Sequence, residues 1–303
     1  MTAAEPGREV GPARGARPAD SDLERILARP GRLLIVSDFD GTLAEGSRDP
    51  AAAAIVPLAR RALRRLASIE RARPERLTVV ILTGRAVADV AARVRVGGVH
   101  YLGDHGIQLG TYPPGRRAEG IEATFLAGHE ASVEPAAVLA RRVPEHLGFP
   151  NWLFVERKGP SVAFHVRQAE DRVAARSAVE SAIAAIDREL PPHDLAHYRG
   201  RLVVDMRPRS AGGKREALER LLGELRPVAV IAFGDDLSDV DAFAVLRAAR
   251  DAGSIDGLAL GVTGPHGTPD EVRETADRVL TTPFEAARMI ARIARALERE
   301  GGG

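Results

Sequence analysis

Cysteine is absent from the 303 residues, which excludes disulfide staples, thiolate metal ligands and a cysteine nucleophile. The absence fits a reducing compartment and leaves the fold to rest on packing alone. Also missing is any run of about eighteen apolar residues, the least that crosses a bilayer as a helix. So is an excess of charge of either sign. The 43 Lys and Arg residues stand against 42 Asp and Glu, a formal net charge of +1, which gives no reason to expect nucleic acid or an anionic membrane as a partner. Lysine itself is scarce: only Lys158 and Lys214 occur. Arginine serves wherever a generic cation suffices, so a position that keeps the compact ammonium is marked as one that needs its size, hydration and reach.

With 45% hydrophobic residues, the chain can bury one large core or two smaller ones. Residues 1–29 mix Pro, Gly, Ala and Arg with acids and have no apolar h-region, unlike a secretory signal, while Glu5, Asp20, Asp22 and Glu24 argue against a transit peptide. A disordered tail on a cytoplasmic protein is expected. After it, Leu33-Leu34-Ile35-Val36 reads as a core strand that ends at once in Asp38-Phe39-Asp40-Gly41-Thr42. Asp49-Pro50 looks like a cap and first turn of a helix that carries Ile55, Ala59, Ala62, Leu66 and Ile69 at helical spacing. A second strand, 77–82, ends in Thr83-Gly84-Arg85 before another amphipathic stretch, and a third, 99–102, closes in Gly103-Asp104-His105-Gly106.

Strands alternating with helices predict an α/β fold: a doubly wound, Rossmann-like parallel sheet covered on both faces. The texture changes at Tyr112-Pro113-Pro114-Gly115, where an inserted α/β domain with helices over 136–147 and 171–190 and strands over 152–156, 162–167 and 202–205 is expected. Alternation resumes with Lys214 opening a helix, a strand over 228–233 ending in Gly234-Asp235-Asp236, a strand over 258–262, and a closing helix over 284–297. The expected division is a core of 30–111 and 205–300 with an insertion of 112–204.

In open α/β sheets, ligands bind beyond the carboxyl ends of the strands, so the four polar loops should converge on one rim. Together they supply what phosphoryl transfer needs. Asp38, ionised at neutral pH, could attack phosphorus, and Asp40 could protonate the leaving oxygen and then take a proton from water. Mg²⁺ prefers carboxylate and carbonyl oxygens, which suggests Asp38, the main-chain carbonyl of Asp40 and Asp235 as ligands, with Asp236 and Asp239 in or behind the shell. Thr83, the Gly84 amide and Lys214 would hold the transferred group. Each segment alone has a plainer reading, as an Asx turn, a helix cap or a solvated charge; their joint order at strand ends favours chemistry.

Asp38-Phe39-Asp40-Gly41-Thr42, Thr83, Lys214 and Gly234-Asp235-Asp236 with Asp239 resemble the four motifs of the haloacid dehalogenase superfamily of phosphatases. The insertion between the second and third looks like a type IIB cap. Within that group, Leu82-Thr83-Gly84-Arg85, Gly103-Asp104-His105-Gly106, the stretch 155–167 and Met206-Arg207-Pro208 look most like trehalose-6-phosphate phosphatases. The resemblance implies a sugar phosphate as substrate, an aspartyl-phosphate intermediate, and contacts from Glu156 and Lys158 to sugar hydroxyls. It places Arg85, His105, Ser161 and Arg207 in the same cleft. His105 and His165 are expected to be hydrogen-bonded structural histidines rather than bases. Two positions depart from the family: Asp104 stands where Asn is usual, and Val240 where an acid is usual.

Overall fold

The computed structural model describes residues 19–45, 52–199, 202–264 and 267–301. Along the chain lie α1 (Ala19–Leu27), β1 (Leu33–Ser37), α2 (Pro57–Ala72), β2 (Leu77–Leu82), α3 (Val87–Val94), β3 (His100–Gly103), β4 (Gln108–Gly110) and β5 (Thr124–Phe125). There follow α4 (Val133–His146), β6 (Phe154–Arg157), β7 (Val162–His165), α5 (Arg172–Asp187), β8 (Leu195–Arg199) and β9 (Val203–Pro208). The chain then forms α6 (Lys214–Leu225), β10 (Ala229–Gly234), α7 (Leu237–Asp251), β11 (Asp256–Val262), α8 (Asp270–Thr275), β12 (Arg278–Leu280) and α9 (Pro283–Gly301).

Eight strands make one sheet in the order β12-β11-β10-β1-β2-β3-β4-β5, parallel from β12 to β3 and antiparallel for β4 and β5. Every residue of β1, β2, β10 and β11 is buried, because alternate side chains serve two layers. Leu33 and Ile35 join a core with α1, α2, α3 and α9, while Leu34 and Val36 join one with α6, α7 and α8. A separate antiparallel sheet, β6-β7-β9-β8, packs Val162, Phe164, Val204 and Met206 against α4 and α5 around a third core. Among the described residues no helix is long and apolar enough to cross a membrane.

The expected doubly wound sheet is present, and three local expectations are corrected. The tail was read as disordered to residue 29, but residues 19–27 form a helix with Leu23 and Ile26 buried, and Arg25 and Arg29 both pair with Asp256. Residues 1–18 lie outside the described residues. The first crossover helix starts at Pro57, which occupies the first turn, rather than at Pro50; Asp49 and Pro50 lie outside the described residues, and Ile55 makes a bridge to Ala44 instead of a helical turn. The insertion was placed from residue 112, yet β5 at 124–125 still belongs to the large sheet. The short strands β4, β5 and β12 and the helix α8 had no sequence signal strong enough to be named, and β8 is a strand through its pairing with β9.

Candidate active site

β1 is central, flanked by β2 and β10, with Ser37 level with both Ile81 and Phe233. The residues that follow, Asp38, Thr83 and Asp235, therefore leave three adjacent strands within about one residue of rise of one another. Asp38 continues the ladder by donating its amide to the Phe233 carbonyl at 3.0 Å, which aims its buried carboxylate at the rim. Gly41, at φ +75°, turns the chain back, and a Cβ there would sit 2.0 Å from Asp235 Oδ2. Glycine is required twice, for its conformation and for the room it leaves. Thr42 donates to Asp235 Oδ1 at 3.0 Å.

Lys214, at the start of α6, reaches into this group. Its Nζ lies 3.0 Å from Asp38 Oδ1 and 2.7 Å from Asp239 Oδ1. The other Asp239 oxygen accepts from the amides of Asp235 and Asp236, at 3.1 and 3.2 Å, so the turn into α7 is built around it. Burial would lower the Lys214 pKa, but Asp239 and Asp38 outweigh it and raise the ammonium above its ordinary range. Asp38 is raised to about 7, by burial first and by Asp239 and Asp40, against the pull of Lys214. Asp235 is also raised well above its ordinary value, by burial and then by Asp38 and Asp239.

Oxygens of Asp38, Asp235 and Asp239 all lie within 4.8 Å of one another. One ammonium for two buried carboxylates and a half-buried third leaves excess negative charge that a hard divalent cation would neutralise, and oxygen-only donors fit such an ion. Asp239, expected in or behind the shell, is thus a member of the cluster. Asp236 is not: its side chain accepts from the Leu237 amide at 2.7 Å and caps α7.

Asp40 points elsewhere. Both its oxygens are held by Arg85, through Nε at 2.6 Å and Nη2 at 2.8 Å, while Arg85 Nη1 donates to Asp89 at 2.7 Å and the guanidinium lies 5.6 Å from the Phe39 ring centre. Thr83 is buried and its hydroxyl accepts from the Arg85 amide at 3.3 Å. Gly84 abuts His105, whose Nε2 would be 2.8 Å from a Cβ at that position.

The four-stranded unit supplies a second polar cluster against the first sheet. Glu156 accepts from the Ala86 amide at 3.4 Å and shares a hydrogen bond of 3.0 Å with His165. Lys158 is 4% exposed, with Nζ 3.5 Å from Asp205 and 3.8 Å from Asp104. Ser161 donates to Asp104, and Gln108 donates to the Lys158 carbonyl while accepting from the Val87 amide. His105 and Arg207 both approach Asp205, at 3.7 and 3.4 Å, and Arg207 stacks 4.1 Å over Tyr198. Burial and the nearby Arg207, Lys158 and Lys214 push the His105 pKa well down, keeping the ring neutral. Burial raises Asp104 to about 7 despite Lys158. For Glu156 burial acts upward, yet Lys158 and the His165 bond prevail and hold it at about 2.

Residues 36–265 match the model of a family described as trehalose-phosphatase. The chain belongs to the trehalose-phosphatase family. It is 33% identical over 274 residues to a trehalose-phosphate phosphatase of Mycobacterium tuberculosis (strain H37Rv), covering 86% of this chain and 61% of that one. It is 34% identical over 272 residues to that of Mycobacterium avium (strain 104), covering 88% and 63%. The chain thus spans about three-fifths of the length of these curated relatives. Among solved structures, the C-terminal domain of Candida albicans trehalose-6-phosphate phosphatase shares the fold, with a TM-score of 0.65, 19% identity, and coverage of 91% of this chain and 94% of that one.

Within this trehalose-phosphatase family member, two site-lining residues escaped the sequence reading. Asp205 is a buried acid in contact with Lys158, His105 and Arg207. Its spacing of two from Arg207 on β9 puts both on one face, a signal that was available. Gln108 bridges the two sheets' loops, and nothing local in the sequence marks it.

Proposed function

We propose that this chain hydrolyses trehalose 6-phosphate to trehalose and inorganic phosphate, with Mg²⁺ as cofactor and through an aspartyl-phosphate on Asp38. The observation that carries the reading is the close group of Asp38, Lys214, Asp235 and Asp239 at the carboxyl end of the central strand, in a chain whose family is named for this activity. A cytoplasmic setting accords with the lack of cysteine.

Asp38 supplies the attacking oxygen: its bond to phosphorus forms as the bond from phosphorus to the sugar oxygen breaks. Asp40 gives the proton that the departing sugar oxygen needs, then takes one from a water that attacks the same phosphorus and frees Asp38. For this Asp40 must leave Arg85, so arrival of a substrate phosphate to occupy the guanidinium is the step that releases it. Thr83, the Gly84 amide and Lys214 hold the equatorial oxygens. Asp38, Asp235 and the Asp40 carbonyl, with Asp239 alongside, would hold Mg²⁺, which when bound neutralises charge on the transferring group. Residues of the four-stranded unit, Glu156, Lys158, Ser161 and Arg207, with His105 from the large-sheet side, form the sugar side of the cleft, and that unit acts as a cap that closes to exclude water.

Phosphate release from a panel of trehalose 6-phosphate, sucrose phosphate, glucose 6-phosphate and glycosyl-phosphoglycerates, with Mg²⁺ and with chelator, tests the reading. Trehalose 6-phosphate is expected to turn over fastest and only with metal. A different leader in the panel would reassign the substrate, and a rate indifferent to chelator would remove the metal.

A further inference from the structure

Away from the carboxylate cluster, a cavity of about 630 Å³ opens between α2, the end of α3 and the loop after β4, and Arg64, Arg95, Arg116 and Arg117 line it. Its volume is that of a small-molecule site. The walls are fixed by close backbone packing: a Cβ at Gly97 would lie 2.4 Å from the Pro113 carbonyl oxygen, and Gly98, at φ +84°, lies against Pro114. The segment carrying Arg116 and Arg117 is therefore pinned to the turn that follows Arg95. Tyr112, stacked on Tyr101 with ring centres 5.9 Å apart, forms part of the lining.

Charge is what distinguishes the cavity. Among the described residues none of these four arginines forms an ion pair, in a chain whose net charge is only +1. A fifth, Arg60, turns its guanidinium onto the last carbonyls of α3, with Nε 3.0 Å from Val94 O and Nη2 3.0 Å from Arg93 O. Its pKa is lowered, by burial first and then by Arg95 and Arg64. Converging guanidinium groups without carboxylates repel one another, and an anion with several charges would offset that repulsion. Guanidinium forks match phosphate oxygens bidentately.

We propose that this cavity is a binding site for a small phosphate-bearing polyanion, a linear phosphate chain alone or as part of a nucleotide, separate from the site of phosphate transfer. The α3 helix links the two places. Arg85 lies two positions before its first residue and Arg95 follows its last, so its eight residues put the sites about 12 Å apart along the helix axis. Asp89 pairs with both Arg85 and Arg93 along one face, at 2.7 and 2.8 Å.

Titration calorimetry of the full chain in metal-free buffer at fixed ionic strength, with sodium tripolyphosphate and with ATP as probes, tests the site. Saturable binding is expected, weakened at least about tenfold by the combined exposed substitutions Arg64→Ala, Arg116→Ala and Arg117→Ala. Hydrogen exchange should slow at 92–97 and 112–118 on binding. ATP binding tighter than tripolyphosphate assigns a nucleotide, and equal affinity assigns the phosphate chain. Unchanged affinity in the triple variant, protection confined to 38–42 and 214–216, or no saturable binding to the unsubstituted chain would each overturn the proposal. Should the triple variant melt early, the single Arg117→Glu exchange serves, with the same expected loss.

Discussion

At Asp38 a carboxylate is buried against one ammonium and two like charges, the kind of perturbed environment in which functional acids are found. Asp38→Asn keeps shape and removes the proposed nucleophile. Phosphate release is expected to fall roughly 10³-fold or more with the melting temperature preserved or raised; retained turnover would mean another nucleophile. Asp104 makes a different prediction. It binds a proton up to about pH 7 in the folded chain but only to about 3.8 when unfolded. Between those values the folded state holds more protons, so stability falls as pH rises through the window. Asp104→Asn, which can still accept from Ser161, should flatten that slope by at most about 3 kcal/mol between pH 5 and pH 8, read by urea denaturation at the two pH values; an unchanged slope would refute it. The acids at strand ends and both lysines were legible in sequence, since strand ends and scarcity are local properties. The hold of Arg85 on Asp40 was not, because it needs two loops 45 positions apart to meet.

Elements were legible where their pattern is carried by apolar residues alone. The central strands β1, β2 and β10 read as runs of mainly apolar residues because both faces are buried, and α6 opens at Lys214 as the sequence leads one to expect. The helix α1 was hidden because its buried side chains, Leu23, Ile26 and Leu27, sit in a stretch rich in Ala, Arg, Pro and Gly. Their burial gives α1 a measurable share of stability. Ile26→Ala should cost about 2–4 kcal/mol in chemical denaturation, and a cost under about 0.5 kcal/mol would mean that α1 is not docked in solution. The loop after β1 carries a sharper constraint. Gly41→Ala adds a Cβ 2.0 Å from Asp235 Oδ2 at a positive φ, so the loop must move away from Asp235. Activity should drop much further than stability, and an alanine variant with unchanged phosphate release would show that Asp235 has room to retreat.

Across the whole molecule, the two sheets meet through buried polar groups rather than through a shared apolar core, since the three hydrophobic clusters are separate. Gln108 and Asp104 on one side face Lys158 and Ser161 on the other. Such a seam is held by hydrogen bonds that water can replace, which suits the closing cap proposed above. Gln108→Ala leaves the Lys158 carbonyl and the Val87 amide without their partner. It should speed hydrogen exchange in β6 and β7 while leaving β1 and β10 protected, and uniform exchange in both sheets would show that they open as one. A last consequence comes from the two buried ammonium groups, Lys158 and Lys214, 4% and 3% exposed. The folded surface offers no side-chain amine, so acylating dyes and amine cross-linkers have only the terminal amino group to attack. Each additional acyl adduct found by mass spectrometry therefore counts chains in which the seam has parted or the fold has come apart, which turns an ordinary labelling reagent into a gauge of opening.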